Sequence, residues 1–291
     1  MASYCSLADA KERMEATTNA DDATLSRLIR LASRQIDRLM YSRLPIFEPQ
    51  VMTRSRQVRT TNVSTWTNVF NFGYPMLSLT TVTVGMPNST TDITSLVQLY
   101  PPNTSPQQEL RLTTFNRSWY DVCNTCATGA LFVTVTGEFG INKDYPNAWV
   151  TLDTLATAIT TTTQTVFEVD DVDGDDEYGL PPRFSIGQLI RIDTEYMEII
   201  NTNTATNEIT VRRGQNGTTA ATHLLGANVA VYRPDPNIRN VAARQAGLLY
   251  ARQGAYTTVT VEPTGTEVRY PVDLLVELRA ALQEYSYGAE F

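Results

Sequence analysis

Few side chains in this 291-residue chain could do chemistry, and the first to consider is the only histidine, His223. A Ser-His-Asp triad or a histidine-based zinc site would have to be built around that one imidazole. The sequence offers no nucleophile elbow, no phosphate-binding glycine loop and no dinucleotide fingerprint beside it. We therefore expect His223 to be a structural residue, and we expect a chain that is not an enzyme and holds no cofactor.

The cysteines are a second possible source of chemistry. Cys123 and Cys126 form a C-x-x-C pair, a spacing found in zinc and redox sites. A closed zinc site needs four ligands, and the remaining candidates, Cys5 and His223, lie far away in the sequence. Three cysteines without framework spacing are typical of reduced thiols, so we expect reduced cysteines and no metal.

An acidic run, VDDVDGDDE at residues 169–177, suggests calcium. Aligning Gly174 with the invariant glycine of an EF-hand puts Val169 and Leu180 at ligand positions that require oxygen. The run therefore fails as an EF-hand, which leaves a solvated acidic loop, with adventitious cation binding as the alternative. The surrounding segment, 151–231, has 12 Asp and Glu against 4 Arg, so its net charge of −8 equals that of the whole chain.

Arginines form a regular pattern in the segment 21–44. Its apolar residues have the spacing of one helix face and are Leu25, Leu28, Ile29, Ala32, Ile36, Leu39 and Met40. A second stripe consists of Arg27, Arg30, Arg34 and Arg38. Asp21 or Asp22 can cap the start of this helix, and Pro45 ends it. The stripe either faces solvent or binds a partner, for which the planar, bidentate contacts of arginine are suited.

The elements that would position these side chains are helices at both ends of the chain and strands between them. Helix patterns cover 6–16, 21–44, 235–254 and 271–285. Candidate strands are 57–61, 66–72, 78–84, 94–100, 109–114, 131–136, 166–169, 188–193, 195–201, 208–212 and 228–232. The predicted fold is α+β. The core is predicted to be discontinuous, with four helices and antiparallel strands in residues 1–150 and 232–291, and with a β excursion at about 57–137. A small all-β barrel or sandwich at 151–231 interrupts this core.

Five stretches carry a resemblance to known proteins. They are SLADAKERM (6–14), DATLSRLIRLASRQIDRLM (22–40), GALFVTVTGEFG (129–140) followed by Pro146 and Trp149, IRNVAARQAGLLYARQGAY (238–256) and PVDLLVELRAALQEY (271–285). In this order the chain resembles the head–tail connector (adaptor) proteins of tailed bacteriophages. The stretch RRGQNGTTAATHLLGANVAVYR (212–233) is similar to a strand–turn–strand pattern of phage virion β-domains.

The resemblance implies a structural subunit of the virion neck, assembled in the host cytoplasm. Such subunits form a ring, expected to be a dodecamer, beneath the portal protein. The ring extends the DNA channel, joins the head to the tail or to the next neck protein, and lets the genome pass during ejection. Double-stranded DNA would pass without sequence-specific binding, which suits an acidic chain with only two lysines. No membrane partner is expected, because no apolar run is long enough to span a bilayer.

Two alternatives stay open: a stopper or tail terminator in the same neck, or a carrier of a surface-exposed β-domain for decoration or attachment. A ring subunit contacts a neighbour on each side. The candidate interface residues are Arg27, Arg30, Arg34, Arg38, Tyr285, Tyr287 and Phe291. The aromatic C-terminal residues either become ordered on docking or belong to an inert terminus.

Overall fold

The computed structural model describes residues 3–15, 19–40, 46–59, 63–64, 68–86, 89–114, 118–123, 131–255 and 275–285. These residues confirm the predicted α+β class, with four helices and two antiparallel sheets. The helices are α1 (Leu7–Arg13), α2 (Asp22–Leu39), α3 (Pro236–Ala255) and α4 (Leu275–Leu282). The strands are β1 (Gln50–Gln57), β2 (Val63–Ser64), β3 (Val69–Met86), β4 (Ser89–Asp92), β5 (Val97–Tyr100), β6 (Gln107–Leu112), β7 (Phe132–Phe139), β8 (Trp149–Thr154), β9 (Val166–Glu168), β10 (Leu189–Ile192), β11 (Glu195–Asn203), β12 (Glu208–Arg212) and β13 (Asn228–Tyr232).

The chain divides into two compact units. One unit contains Met1–Pro45 together with Pro146–Tyr287, and the other contains Ile46–Tyr145. All four helices and strands β8 to β13 belong to the first unit, called here the helical unit. Strands β1 to β7 form the second, the β unit.

The two opening helices begin differently, and only α1 has a side-chain cap. The Ser6 hydroxyl accepts a hydrogen bond from the Asp9 N–H at 3.1 Å, and the Asp9 carboxylate accepts one from the Ser6 N–H at 2.7 Å, so α1 begins with a capping box. At the start of α2, Asp21 makes no such cap. Its carboxylate instead accepts a hydrogen bond from the Tyr250 hydroxyl of α3 at 2.6 Å.

Helix α2 is the centre of the helical packing. The predicted apolar face is buried except for Leu39, which is half-buried. It packs against α3 and α4, and α1 packs against α2 and α3. Gln245 on α3 also donates a hydrogen bond to the Gln35 side chain at 2.6 Å. Helix α3 begins at Pro236, as predicted, after Asp235, whose carboxylate accepts from the Asn237 N–H at 3.0 Å.

Strands β8 to β13 form one antiparallel sheet in the order β8-β13-β10-β11-β12-β9. This sheet does not close into a barrel, which corrects the predicted barrel or sandwich. An isolated β-bridge joins Leu155, which follows β8, to Val169, which follows β9. The loop before β10 is bound to the start of α1: the Leu7 N–H donates to the Ile186 carbonyl at 3.0 Å, and the Ala8 N–H donates to the Ser185 hydroxyl at 3.1 Å.

The β unit contains the second sheet, in the order β1-β7-β3-β6-β5, with β2 and β4 paired to β3. Strand β3 was predicted as two strands and is one, with an irregular register between Asn71 and Met76. Trp119 is buried against Phe70, with ring centroids 5.3 Å apart, and its indole N–H donates to the Asn68 carbonyl at 3.2 Å. Among the described residues, none of the helices has both the length and the apolar content to cross a bilayer.

Candidate interaction surface and buried charge cluster

The exposed side of α2 is basic with an apolar centre. At about 100° per residue, Arg27, Leu31 and Arg38 lie within about 40° of one another around the helix. Both arginines are exposed, and Leu31 is 44% exposed although it is a large apolar residue. Arg27 donates to the Thr24 hydroxyl at 3.3 Å, and neither arginine forms an ion pair with a residue that the structure describes. We call Arg27, Leu31 and Arg38 the basic face.

The other two predicted arginines have partners within the unit. Arg30 is half-buried and lies 3.4 Å from the carboxylate of Glu198 on β11, which also pairs with Arg212 at 3.2 Å. Arg34 lies 3.6 Å from Asp37, a buried carboxylate that accepts a hydrogen bond from the Tyr4 hydroxyl. The predicted stripe is therefore divided: Arg30 binds the sheet, Arg34 binds its own helix, and Arg27 and Arg38 face outward.

The aromatic residues predicted at the interface are placed differently. Tyr285 is buried, and burial, together with the neighbouring carboxylates of Asp235 and Glu284, raises the pKa of its hydroxyl. In this chain it is a core residue of the helical unit. Tyr287 and Phe291 lie outside the described residues.

An acidic loop connects β9 to β10, and a part of its charge is neutralised inside the unit. Arg183 lies 3.7 Å from Asp171 and donates to the Asp175 carbonyl at 3.1 Å. Glu177 pairs with Arg233 just before α3. Asp173 and Asp175 are exposed, and neither forms an ion pair with a described residue. The described residues contain no group of three or more His, Cys, Asp or Glu side chains placed to hold a metal ion.

Two apolar side chains project from the same loop. Tyr178 is 67% exposed and Leu180 is 61% exposed. The Asp176 carboxylate accepts hydrogen bonds from the backbone N–H groups of both residues, at 2.9 and 3.1 Å. These bonds fix the backbone of the turn, so the two apolar groups are held in exposed positions.

A buried charge cluster surrounds Glu195, the first residue of β11. The Arg213 guanidinium makes a bidentate contact with this carboxylate at 2.7 Å, and the Gly214 and Ala221 N–H groups donate to it at 3.0 and 2.9 Å. Arg213 also donates to the backbone carbonyl groups of Gln164 and Ala221. Because Glu195 is fully buried and Arg213 is only 6% exposed, each charge depends on the other.

His223 completes this cluster. Its Nε2 lies 3.0 Å from Glu195 and its Nδ1 lies 2.7 Å from Asp193. Carboxylates only accept hydrogen bonds, so both contacts are satisfied together when both ring nitrogens carry protons. The ring is buried and has two partners, as expected of a structural histidine. The cluster ties the loop 213–223 to the β10–β11 turn.

The cluster also determines the acidity of Glu195. Burial by itself raises the pKa of this carboxyl group, but the hydrogen bonds from Arg213, His223, Ala221 and Gly214 outweigh burial and lower the pKa from 4.5 to about 2. The carboxylate therefore stays ionised in the folded chain at all pH values well above 2.

We expect this carboxylate to contribute to acid unfolding. A folded pKa below the unfolded value stabilises the fold fully above pH 4.5, and the contribution is lost as the pH falls towards about 2. The shift corresponds to about 3 kcal/mol of unfolding free energy. Urea denaturation at pH 7 and pH 2.5 should therefore show a larger loss for the wild type than for Glu195→Gln. An equal loss in both proteins would contradict this assignment.

The cysteines differ from one another. Cys5 is free and buried, and burial raises the pKa of its thiol. Cys123 is disulfide-bonded, so the prediction of reduced thiols is wrong for this residue. Cys126 lies outside the described residues.

Two features of the helical unit were not predicted from the sequence. Leu31 lies within the arginine stripe at helical spacing, so its position on the exposed face could have been predicted from the sequence. Glu195 carries no local signal, because its partners Arg213 and His223 come from a loop distant in sequence. Comparison with known proteins adds no identification, since no family model, curated protein or solved structure matches this chain.

Proposed function

We propose that this chain is a structural adaptor subunit of a phage neck, without a catalytic role. Copies form a ring beneath the portal, extend the DNA channel and join the DNA-filled head to the tail or to the next neck protein. The observation that carries the proposal is the basic face of α2, where two arginines that have no ion pair with a described residue lie beside an exposed leucine. Arginine is enriched at protein interfaces, and the basic face lies on a helix whose opposite side is buried in the unit.

The packing of the helices also supports the proposal. Helices from the start and the end of the chain pack together in one unit. The Arg30–Glu198 pair and the hydrogen bonds from α1 connect these helices to the sheet β8–β13. A subunit that transmits contacts between head and tail needs such internal connections, because each ring contact is made on a different side of the protomer.

The test is complementation of a phage that carries this gene in disrupted form. We expect DNA-filled heads and separate tails to accumulate, and purified chain added to these heads to restore joined particles. Electron microscopy would show the added chain as a ring at the portal vertex. Joined, infective particles formed in its absence would refute the proposal.

A second candidate, a sheet that presents a ligand-binding surface, is favoured by one observation. Leu224 and Leu225, in the loop before β13, are exposed, with Leu224 at 81%. We expect Leu224→Ser/Leu225→Ser to leave head–tail joining intact if the neck role is the main one. Particles that are joined but fail to attach to cells would favour the second candidate.

A further inference from the structure

Two surfaces of the helical unit have complementary charge and similar design. The basic face places Arg27 and Arg38 beside Leu31. The acidic loop places Asp173 and Asp175 near Tyr178 and Leu180 in the chain. Leu31 therefore lies beside positive charges on α2, and Tyr178 and Leu180 closely follow negative charges in the sequence of the loop.

Among the described residues, neither surface finds an ion-pair partner for its outward charges. No ion pair between described residues connects Arg27 or Arg38 to the acidic loop, and Asp173 and Asp175 have no described ion-pair partner. Other carboxylates of the loop bind inward: Asp171 pairs with Arg183, and both Asp176 and Glu177 pair with Arg233. Because these inward ion pairs already hold the loop in place, binding of a partner to Asp173 and Asp175 costs little additional conformational entropy.

We propose that the basic face of one copy binds the acidic loop of the next copy, with Leu31 against Tyr178 and Leu180. This contact joins two different surfaces of identical chains, so it is head-to-tail and generates a ring when the rotation closes. The formation of a ring rests on the proposed function. The pairing of the two surfaces does not, because it is a property of the purified chain. The aromatic and leucine side chains would be desolvated at the centre, and the charges would select the partner.

The experiment uses charge exchange between the two surfaces. One variant carries Arg27→Glu and Arg38→Glu, and the other carries Asp173→Arg and Asp175→Arg. We expect the wild type to self-associate with increasing concentration in sedimentation velocity, and each variant alone to associate at least about tenfold more weakly, since like charges then face each other. Mixed in equal amounts, the two variants should regain association near the wild-type level, because every contact again joins opposite charges.

The controls are charge reversals on other exposed positions of the same unit. Arg279→Glu on α4 and Glu168→Arg on β9 change the net charge in the same directions but lie outside both surfaces. We expect them to associate like the wild type. Thermal melts of all variants should match the wild type, because none of the six changed residues forms an ion pair with a described residue.

A cross-link gives a second measurement for weak association. Under mild oxidation, a mixture of Leu31→Cys and Tyr178→Cys chains should form a disulfide-linked pair of one copy of each. In the control, Leu31→Cys chains are mixed with Leu224→Cys chains. Position 224 is more exposed than position 178, yet this mixture should cross-link far less.

The outcomes separate this inference from the proposed function. Normal association of either charge variant or absence of recovery in the mixture overturns the pairing. A wild type that does not associate, together with Leu31→Cys and Tyr178→Cys chains that do not cross-link, also overturns it. If each charge variant alone still forms a ring at the portal, the pairing is refuted and the neck role is kept. Recovery in the mixture without binding to heads would keep the pairing and refute the neck role.

Discussion

Replacement of Glu195 by glutamine is expected to lower the free energy of unfolding of the helical unit by about 3–5 kcal/mol at neutral pH. The amide keeps the shape but removes the counter-charge of Arg213, which is only 6% exposed and cannot regain water without opening the loop. The same change removes the negative partner of His223. A buried charge that loses its partner costs more than the pair itself contributes.

Urea denaturation measures this loss, and hydrogen–deuterium exchange assigns it to β10–β13. The matched control is Glu168→Gln, at an exposed position of β9, which should change stability by less than about 0.5 kcal/mol. If Glu195→Gln were as stable as that control, the cluster would not hold the loop 213–223 in place.

Replacement of Trp119 by alanine is expected to have an effect of similar size in the β unit, about 3–5 kcal/mol. Trp119 is buried among the aromatic rings of this unit, and its removal leaves a cavity beside Phe70. The Asn68 carbonyl also loses the indole N–H as its hydrogen-bond donor. The loss should appear as faster amide exchange in β3, β6 and β7.

The neighbouring residue provides the control for this prediction. Tyr120 is 51% exposed, so Tyr120→Ala should cost less than about 1 kcal/mol. Similar destabilisation by both changes would show that Trp119 does not act through its burial. The two aromatic residues stand side by side in the sequence, so only their environment distinguishes them.

The sequence predicted most of the secondary structure of the helical unit. The strands β9 to β13 match their predicted ranges within a few residues, because apolar and polar residues alternate between clear turn signals. Strand β8 was missed, since WVTLDT is mixed in character and its pairing with β13 is a long-range property. In the β unit, the strands predicted at 66–72 and 78–84 are one strand, because β3 continues between them with an irregular register and with Gly73 at a φ of +77°.

The candidate site was predictable only where local periodicity defines it. Helical spacing placed Arg27 and Arg38 on one exposed stripe, and the structure keeps them there. Periodicity could not show that Arg30 would find Glu198 on a strand far along the chain. The burial of Tyr285 likewise depends on how α4 packs, which the sequence of that helix does not specify.

The neighbouring positions of β8 and β13 have an evolutionary consequence. Trp149 pairs with Tyr232 and Val150 with Val231, so the chain enters and leaves this sheet one strand spacing apart, about 5 Å. Recombination could replace the segment between these two strands with another sequence. If the segment were lost instead, a short turn would close the remaining gap. A descendant that lost the segment would also lose Glu198, so we expect the residue at position 30 to change with it.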